Sequence, residues 1–226
     1  MNAASDSPSG FLLVDKPVGP TSHDIVDVAR RTLRTRKIGH AGTLDPFASG
    51  LLILAVGKMT KEISKFVGLD KAYEATLRLG ASSDTMDRTG VVTEQNDCAP
   101  VARETFALAL EGFRGGIDQV PPMYSAKKVG GKKLYELARE GVEIERKPVR
   151  VTIHELELVD YAWPIAKIRT RVSSGTYIRA LADDIGMALG CGAYLEELRR
   201  TKIGNFDVKD AVKKEDIALT SLRASL

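Results

Sequence analysis

Cysteine is scarce in this sequence: Cys98 and Cys191 are the only two in 226 residues, far apart and outside any CxxC spacing. That excludes a disulfide-stapled scaffold for a chain of this size, and two reduced thiols in a cytosolic protein are the plain reading. Histidine is almost as sparse. His23, His40 and His154 stand among poor ligands, so there is no zinc pattern and no metal is expected. Long apolar runs are missing too, since "FLLV" and "LLILAV" fall well short of the roughly 20 residues a membrane helix needs. The opening "MNAASDSPSG" carries no Lys or Arg and so lacks the basic region of a secretory signal. A soluble, cytoplasmic protein is the expectation. No GxGxxG follows a strand, no loop ends in GKS or GKT, and no GxSxG elbow occurs. "VGGKKL" near residue 130 lacks the P-loop spacing. Triphosphate chemistry is therefore disfavoured, and no cofactor is expected.

What remains has the composition of a globular protein, 28% charged and 43% hydrophobic. A net charge of +3 neither demands nor excludes a nucleic-acid partner, which would have to be met by a local basic surface. "FLLVD" reads as a strand running into the turn-rich "KPVGPTS". "TSHDIVDVARRTLR" predicts a helix capped by Thr21, with Ile25, Ala29 and Leu33 on one stripe and basic residues at its C-terminal end. "GLLILAVG" predicts a buried strand and "MTKEISKFV" a short helix. "KAYEATLRLG" alternates as a half-buried strand should, with Tyr73, Ala75, Leu77 and Leu79 on its apolar face. Further on, "VARETFALALEGF", "KKLYELARE" and "TYIRALADDIGMALG" are helical, and "VRVTIHELELVDY" and "IAKIRTRVSS" are strands. A last short helix falls around "KKEDIALTSL", whereas "CGAYLEELRRTKIGNF" fits no pattern cleanly. Strands and helices mix without strict alternation. The fold class is α+β with a mixed, mostly antiparallel sheet flanked by helices.

"GHAGTLDPFASG", residues 39 to 50, is the stretch least like an ordinary core. Pro46 biases Asp45 towards extended backbone, while Gly42 and Gly50 permit tight turns and close approach of a substrate. A carboxylate on such a loop, just before a buried strand, is placed as a nucleophile on a rigid base. The bland alternative is a turn initiated by Asp-Pro, and local composition alone favours it. Arg179, near the start of an apolar-striped helix, is not favoured there by the helix dipole, so a carboxylate from elsewhere in the fold is its natural partner. Such a carboxylate, Asp45 for example, would be kept ionised. A surface arginine pairing with Asp183 is the competing reading. Tyr73 is either core packing or a ring that stacks on a nucleobase, and in both cases its hydroxyl needs a partner.

Together, "GHAGTLDPFASG", "KAY" at 71 to 73 and "GTYIRALADDIG" at 175 to 186 resemble the three signature segments of the TruB-type tRNA pseudouridine synthases. "KPVGPTSHDIV", "VPPMYSAKKVGGKKLYELAREGVEIER" and "CGAYLEELRR" match that family as well, in the right order from about residue 10 to about residue 210. The resemblance implies the pseudouridine-synthase fold and isomerisation of a uridine, expected at position 55 of the transfer-RNA T-loop, to pseudouridine. It makes Asp45 the nucleophile, Tyr73 the tyrosine that stacks on the base and helps a later proton transfer, and Arg179 the partner of the nucleophile. His40, Tyr177 and Leu198 correspond to positions that contact the flipped nucleotide or shape its pocket. The basic segment 119–146, with Lys127, Lys128, Lys132 and Lys133, corresponds to an insertion that grips RNA. On this basis residues 1–10 are a flexible tail and 11–226 one catalytic domain, without the further C-terminal RNA-binding domain of longer members. The implied partner is tRNA, through its T-arm and elbow, with no membrane and no obligatory protein partner. Assistance to tRNA folding is a possible second activity.

The chemistry suits these residues. Breaking N1–C1′, turning the uracil and joining C5 to C1′ involves no net redox change. A glycosidase needs two carboxyl groups, one to protonate its leaving group. Here the uracil departs as a delocalised anion and is retained, so one carboxylate suffices. Asp45 attacks C1′, promotes loss of a C2′ proton, or adds to C6, and the sequence does not choose. Water has to be excluded meanwhile, for which Tyr73 and Leu198 are suitable apolar residues. A stacked uridine has to be flipped out at a cost of about a few kcal/mol, and His40 is a candidate wedge for the space it vacates. Two other readings stand beside this one: a T-loop-binding protein without turnover, and a synthase acting on ribosomal RNA.

Overall fold

In a computed structural model, residues 8–95, 97–125, 128–129, 131–139, 141–142 and 144–226 are described. The described strands and helices run β1 (Gly10–Lys16), α1 (Ser22–Thr32), β2 (Ile38–His40), β3 (Ser49–Val56), α2 (Ser64–Val67), β4 (Lys71–Leu79), β5 (Ala81–Ser83) and β6 (Val92–Glu94). Then follow α3 (Arg103–Glu111), β7 (Gly115–Gln119), β8 (Lys128–Val129), β9 (Lys132–Lys133), α4 (Leu134–Arg139), β10 (Val149–Ala162) and β11 (Ile165–Val172). The chain ends with α5 (Ile178–Ala188), β12 (Ala193–Ile203), β13 (Phe206–Asp207) and β14 (Val212–Lys213). Two compact units emerge, one of residues 1–73 with 199–226, the other of residues 74–198. Most pairings are antiparallel and a few are parallel, so the α+β class with a mixed sheet holds.

In the first unit β3 is the central strand. β1 runs antiparallel to it from Gly10 opposite Val56 to Lys16 opposite Gly50. On its other edge lie β2, antiparallel, and the end of β12, parallel, with Arg200 beside Gly50. The continuous apolar run of β3 is explained by burial on both faces. Leu52, Leu54 and Val56 pack with Leu12, Val14 and the Ile25, Ala29 and Leu33 stripe of α1. Leu51, Ile53 and Ala55 pack with Phe11, Leu13, Phe66 and Ile203 on the opposite face. Helix α1 begins as its sequence predicts: the Thr21 hydroxyl accepts from the backbone N–H of Asp24, and the Asp24 carboxylate accepts from that of Thr21, a capping box.

The second unit is built on the hairpin of β10 and β11, with β7 antiparallel to β10 on the other edge. Phe106 and Leu110 of α3 are buried, as are Leu181 and Ile185 of α5. The Phe106 ring lies 5.4 Å from that of Tyr161, whose hydroxyl donates to the Val101 carbonyl.

Several boundaries differ from the sequence reading. "MTKEISKFV" forms a 3-10 turn over Gly57–Glu62 and then the single helical turn α2. "KKEDIALTSL" holds only 3-10 turns, at Lys214–Asp216 and Leu219–Ser221. Both segments are too short to offset the cost of helix nucleation without an apolar stripe to bury. "CGAYLEELRRTKIGNF" contains the 11-residue strand β12, whose alternation is broken where Ala193, Tyr194 and Leu195 are buried in succession.

The close approach expected of Gly50 is to protein backbone. Its φ is +107°, and a Cβ built there would sit 2.7 Å from the Arg200 amide nitrogen and closer still to the Arg200 carbonyl oxygen. Gly50→Ala combines left-handed strain with a clash that only strand separation relieves. It should destabilise the protein by about 2–4 kcal/mol, read as a lower urea midpoint.

Candidate active site

Asp45 lies between β2 and β3 on a loop fastened at three points. The Ser22 hydroxyl accepts from the Leu44 amide at 2.9 Å and donates to the Leu44 carbonyl at 3.1 Å. The Gly19 amide donates to the Pro46 carbonyl at 2.8 Å, and the Ala48 amide to that of Asp45 at 3.1 Å. Gly42 supplies a turn at φ +89°. The bland reading of the Asp-Pro pair is true as far as it goes, because Asp45 does open a turn. That turn is also braced against the start of α1, leaving Asp45 partly exposed on a fixed frame.

Two buried cations flank this frame, and neither stands out in the sequence. Lys16, at the end of β1, is fully buried, and its Nζ donates to the carbonyls of Pro17 and Pro20 at 3.0 and 2.8 Å. Burial pushes its ammonium down to about 8, assisted by the Arg200 charge and opposed by the nearby Asp45 and Asp24 carboxylates. Arg200, 1% exposed, donates from Nε to the Leu51 carbonyl at 2.8 Å and from Nη2 to that of Gly42 at 3.1 Å. The Tyr73 side chain lies close to its guanidinium and interacts with it electrostatically. The polar group nearest to hand for the Tyr73 side chain is thus the Arg200 guanidinium, while its ring is buried on the inner face of β4. His40 ends β2 half-buried. Burial, Arg200 and His23 push its pKa down, with the Gly42 backbone pulling weakly the other way, so the imidazole is neutral near pH 7.

In the second unit Arg179 is 5% exposed, so it is no surface arginine paired with Asp183. Its Nη1 meets the Asp87 carboxylate at 3.1 Å and the Thr85 carbonyl at 3.0 Å, and its Nη2 meets the Tyr124 carbonyl at 2.6 Å. Asp87 is itself held by the Thr85 hydroxyl at 3.0 Å and the Thr89 amide at 2.9 Å. In the sequence Asp87 reads only as part of a loop. The hydroxyl-rich "SSDTMDRTG" around it is the available signal, since such residues brace a carboxylate. Tyr177 caps α5 and is gripped by Gln119, which donates to its carbonyl at 3.0 Å and accepts from its amide at 2.8 Å. Both line a cavity of about 310 Å³ with Pro121, Val149, Val151 and Gly175. Leu198 is buried on β12. Of the four lysines, Lys127 lies outside the described residues, Lys128 falls in β8 and Lys132 and Lys133 in β9, which pairs with it. Among the described residues no group of three or more His, Cys, Asp or Glu could hold a metal, and no helix is long and apolar enough to cross a membrane.

Solved structures share this fold. A Cbf5–Nop10–Gar1 complex matches over 92% of this chain and 53% of its own, with 30% identity and a TM-score of 0.73. An H/ACA RNP bound to a substrate RNA containing 2′-deoxyuridine matches over 92% and 51%, with 28% identity and a TM-score of 0.69. The chain spans about half the length of these solved chains. Fold and matching sequence define an RNA pseudouridine synthase, an isomerase. Residues 30–178 match the N-terminal domain of the TruB family of pseudouridylate synthases, and residues 179–225 match the tRNA pseudouridylate synthase B C-terminal domain. Among curated relatives, a tRNA pseudouridine synthase B of Azoarcus sp. (strain BH72) is 54% identical over 91% of this chain and 68% of its own length. One of Endomicrobium trichonymphae is 47% identical over 96% and 94%. The chain belongs to the TruB family of pseudouridylate synthases.

Two consequences are measurable. Asp87→Ala removes one charged partner from the buried Arg179 guanidinium and should lower the urea midpoint, since a buried ion pair is then broken from one side. The depressed Lys16 pKa makes stability rise with pH between about 8 and 10.5, where the unfolded chain still holds the proton that the folded chain has released. The unfolding free energy of wild type minus that of Lys16→Met should climb across this window, since the similar shift at Lys71 cancels in the difference. A flat difference would show that Lys16 titrates normally.

Proposed function

We propose that this protein converts uridine 55 in the T-loop of tRNA to pseudouridine, with Asp45 as nucleophile. The observation that carries this reading is the mount of Asp45: a carboxylate on a loop pinned to α1 by Ser22, with the buried Lys16 ammonium close by. A turn needing only an Asx cap has no use for such bracing. A reaction that must hold one oxygen in line with a sugar carbon does. The relatives named tRNA pseudouridine synthase B support tRNA as the substrate.

In this reading the T-loop uridine leaves its stack and its sugar is presented to Asp45. The N1–C1′ bond breaks and the electron pair leaves with the uracil. The base turns, C5 bonds to C1′, the C5 proton is lost and N1 takes up a proton, which restores the conjugation of the ring. Atoms are conserved, since the product is an isomer. Asp45 acts at C1′, through C2′ deprotonation, or at C6; each uses the carboxylate in its ionised form. Tyr73, close to the Arg200 guanidinium, stacks on the base and assists the late proton transfer. Neutral His40 is the wedge in the vacated stack, and Tyr177 and Leu198 bound the nucleotide. Arg179, fixed by Asp87, is the cation that turnover requires. Lys127, Lys128, Lys132 and Lys133 contribute phosphate contacts, and the reaction takes place in the cytoplasm without a cofactor.

Tritium release from 5-tritiated uridine in a T-arm RNA tests this directly. Asp45→Asn should lower release by at least about a thousandfold while binding persists. Arg179→Lys should lose turnover with RNA affinity largely kept. Release that survives Asp45→Asn removes Asp45 as nucleophile, and binding without release by wild type leaves an RNA-binding protein.

A further inference from the structure

At the C-terminal end of α1 the chain builds an open cleft of about 670 Å³ lined by Asp27, Arg30, Arg31, Arg34, Thr35 and Arg36. Four guanidinium groups share it with one carboxylate. That carboxylate is already engaged, with Asp27 Oδ1 accepting from Arg30 Nη1 at 2.9 Å and Oδ2 3.8 Å from His23 Nε2. The helix dipole accounts for basic residues in the last turn, Arg30 and Arg31. It does not account for Arg34 and Arg36, which lie beyond the helix and add repulsion at close range. Arg34 itself, at φ +49°, is the left-handed residue that closes the helix, with the Thr35 amide donating to the Arg30 carbonyl at 3.2 Å. Arg30 is only partly used as well: Asp27 takes Nη1, and its buried Nε makes no hydrogen bond.

We infer that this cleft is a binding site for the phosphodiester backbone of the substrate RNA, outside the segments already assigned to RNA contact. This rests on the reading that the chain modifies RNA. A polyanion relieves the repulsion among the arginines, and their planar forks suit phosphate oxygens. An open cleft with several cations fits a run of phosphates better than one small anion, which would want an enclosed cradle. Covalent connection gives the site its register. Arg36 precedes His40 by four residues, so their Cα atoms are at most about 14 Å apart. A strand whose flipped nucleotide lies at His40 and Asp45 can therefore have phosphates a few nucleotides away within reach of the cleft.

The test compares wild type with the triple variant Arg31→Gln/Arg34→Gln/Arg36→Gln, leaving the Arg30–Asp27 pair in place. Anisotropy of a labelled T-arm RNA gives Kd between 50 and 200 mM NaCl, roughly the range where counterion release is steep, and tritium release gives kcat and KM. The expected result is a Kd and KM raised by about 10- to 100-fold at low salt, with a salt slope shallower by about 0.7–0.9 for each phosphate no longer neutralised. The kcat at saturating RNA should stay within about twofold, and the corresponding lysine variant should recover most of the slope. Single Arg31→Gln and Arg36→Gln variants carry the same reading if the triple variant melts early. Unchanged Kd and slope in variants alongside an active wild type overturn the inference and leave the proposed function standing. A fall in kcat with Kd unchanged also overturns it. A wild type that neither binds nor modifies the RNA brings down both.

Discussion

The guanidinium of Arg200 is the fixed point around which the first unit is arranged. It is buried, always charged, directs donors to the Leu51 and Gly42 carbonyls, and lies close to the side chain of Tyr73. These three residues come from the start of β3, the loop carrying Asp45 and the strand β4, so one side chain sets their spacing. Desolvating a guanidinium is unfavourable, and the Leu51 and Gly42 carbonyls offset part of that cost by accepting from Nε and Nη2. Gly50 makes the arrangement possible: without a Cβ, β3 can approach the Arg200 backbone closely enough for the two strands to pair.

Electrostatics in this unit follow from the same packing. Lys16 and Lys71 are both held down to about 8, mainly by burial and in part by Arg200. The Lys16 ammonium is stabilised by two carbonyls and by the proximity of Asp45. His40 is the counterpart, a half-buried ring near Arg200 and His23 whose pKa burial and those charges push down. In the second unit the buried Arg179–Asp87 pair plays a similar structural part, fixing a cation by a carboxylate that is braced by Thr85 and Thr89.

Elements governed by periodicity are legible in the sequence. Thr21 and the Ile25, Ala29 and Leu33 stripe define α1, and alternation defines β4 with Tyr73 facing inward. Asp45, Tyr73 and Arg179 are legible through signature segments, which reflect what long-range packing requires. Lys16, Arg200 and Asp87 are not, because a charged residue in a strand or loop reads as solvent-facing until its burial is known. Their importance depends on partners distant in sequence, such as Leu51 for Arg200 or Arg179 for Asp87, 149 and 92 residues away. β12 is obscured for the same reason: Arg200 interrupts its apolar pattern although its side chain is buried.

The measurement that bears most directly on the central claim is mapping of the product. An unmodified tRNA transcript incubated with the protein and sequenced for pseudouridine should carry a single new pseudouridine, at uridine 55 of the T-loop. Pseudouridine elsewhere in the transcript, or none while the RNA remains bound, would contradict the proposed function.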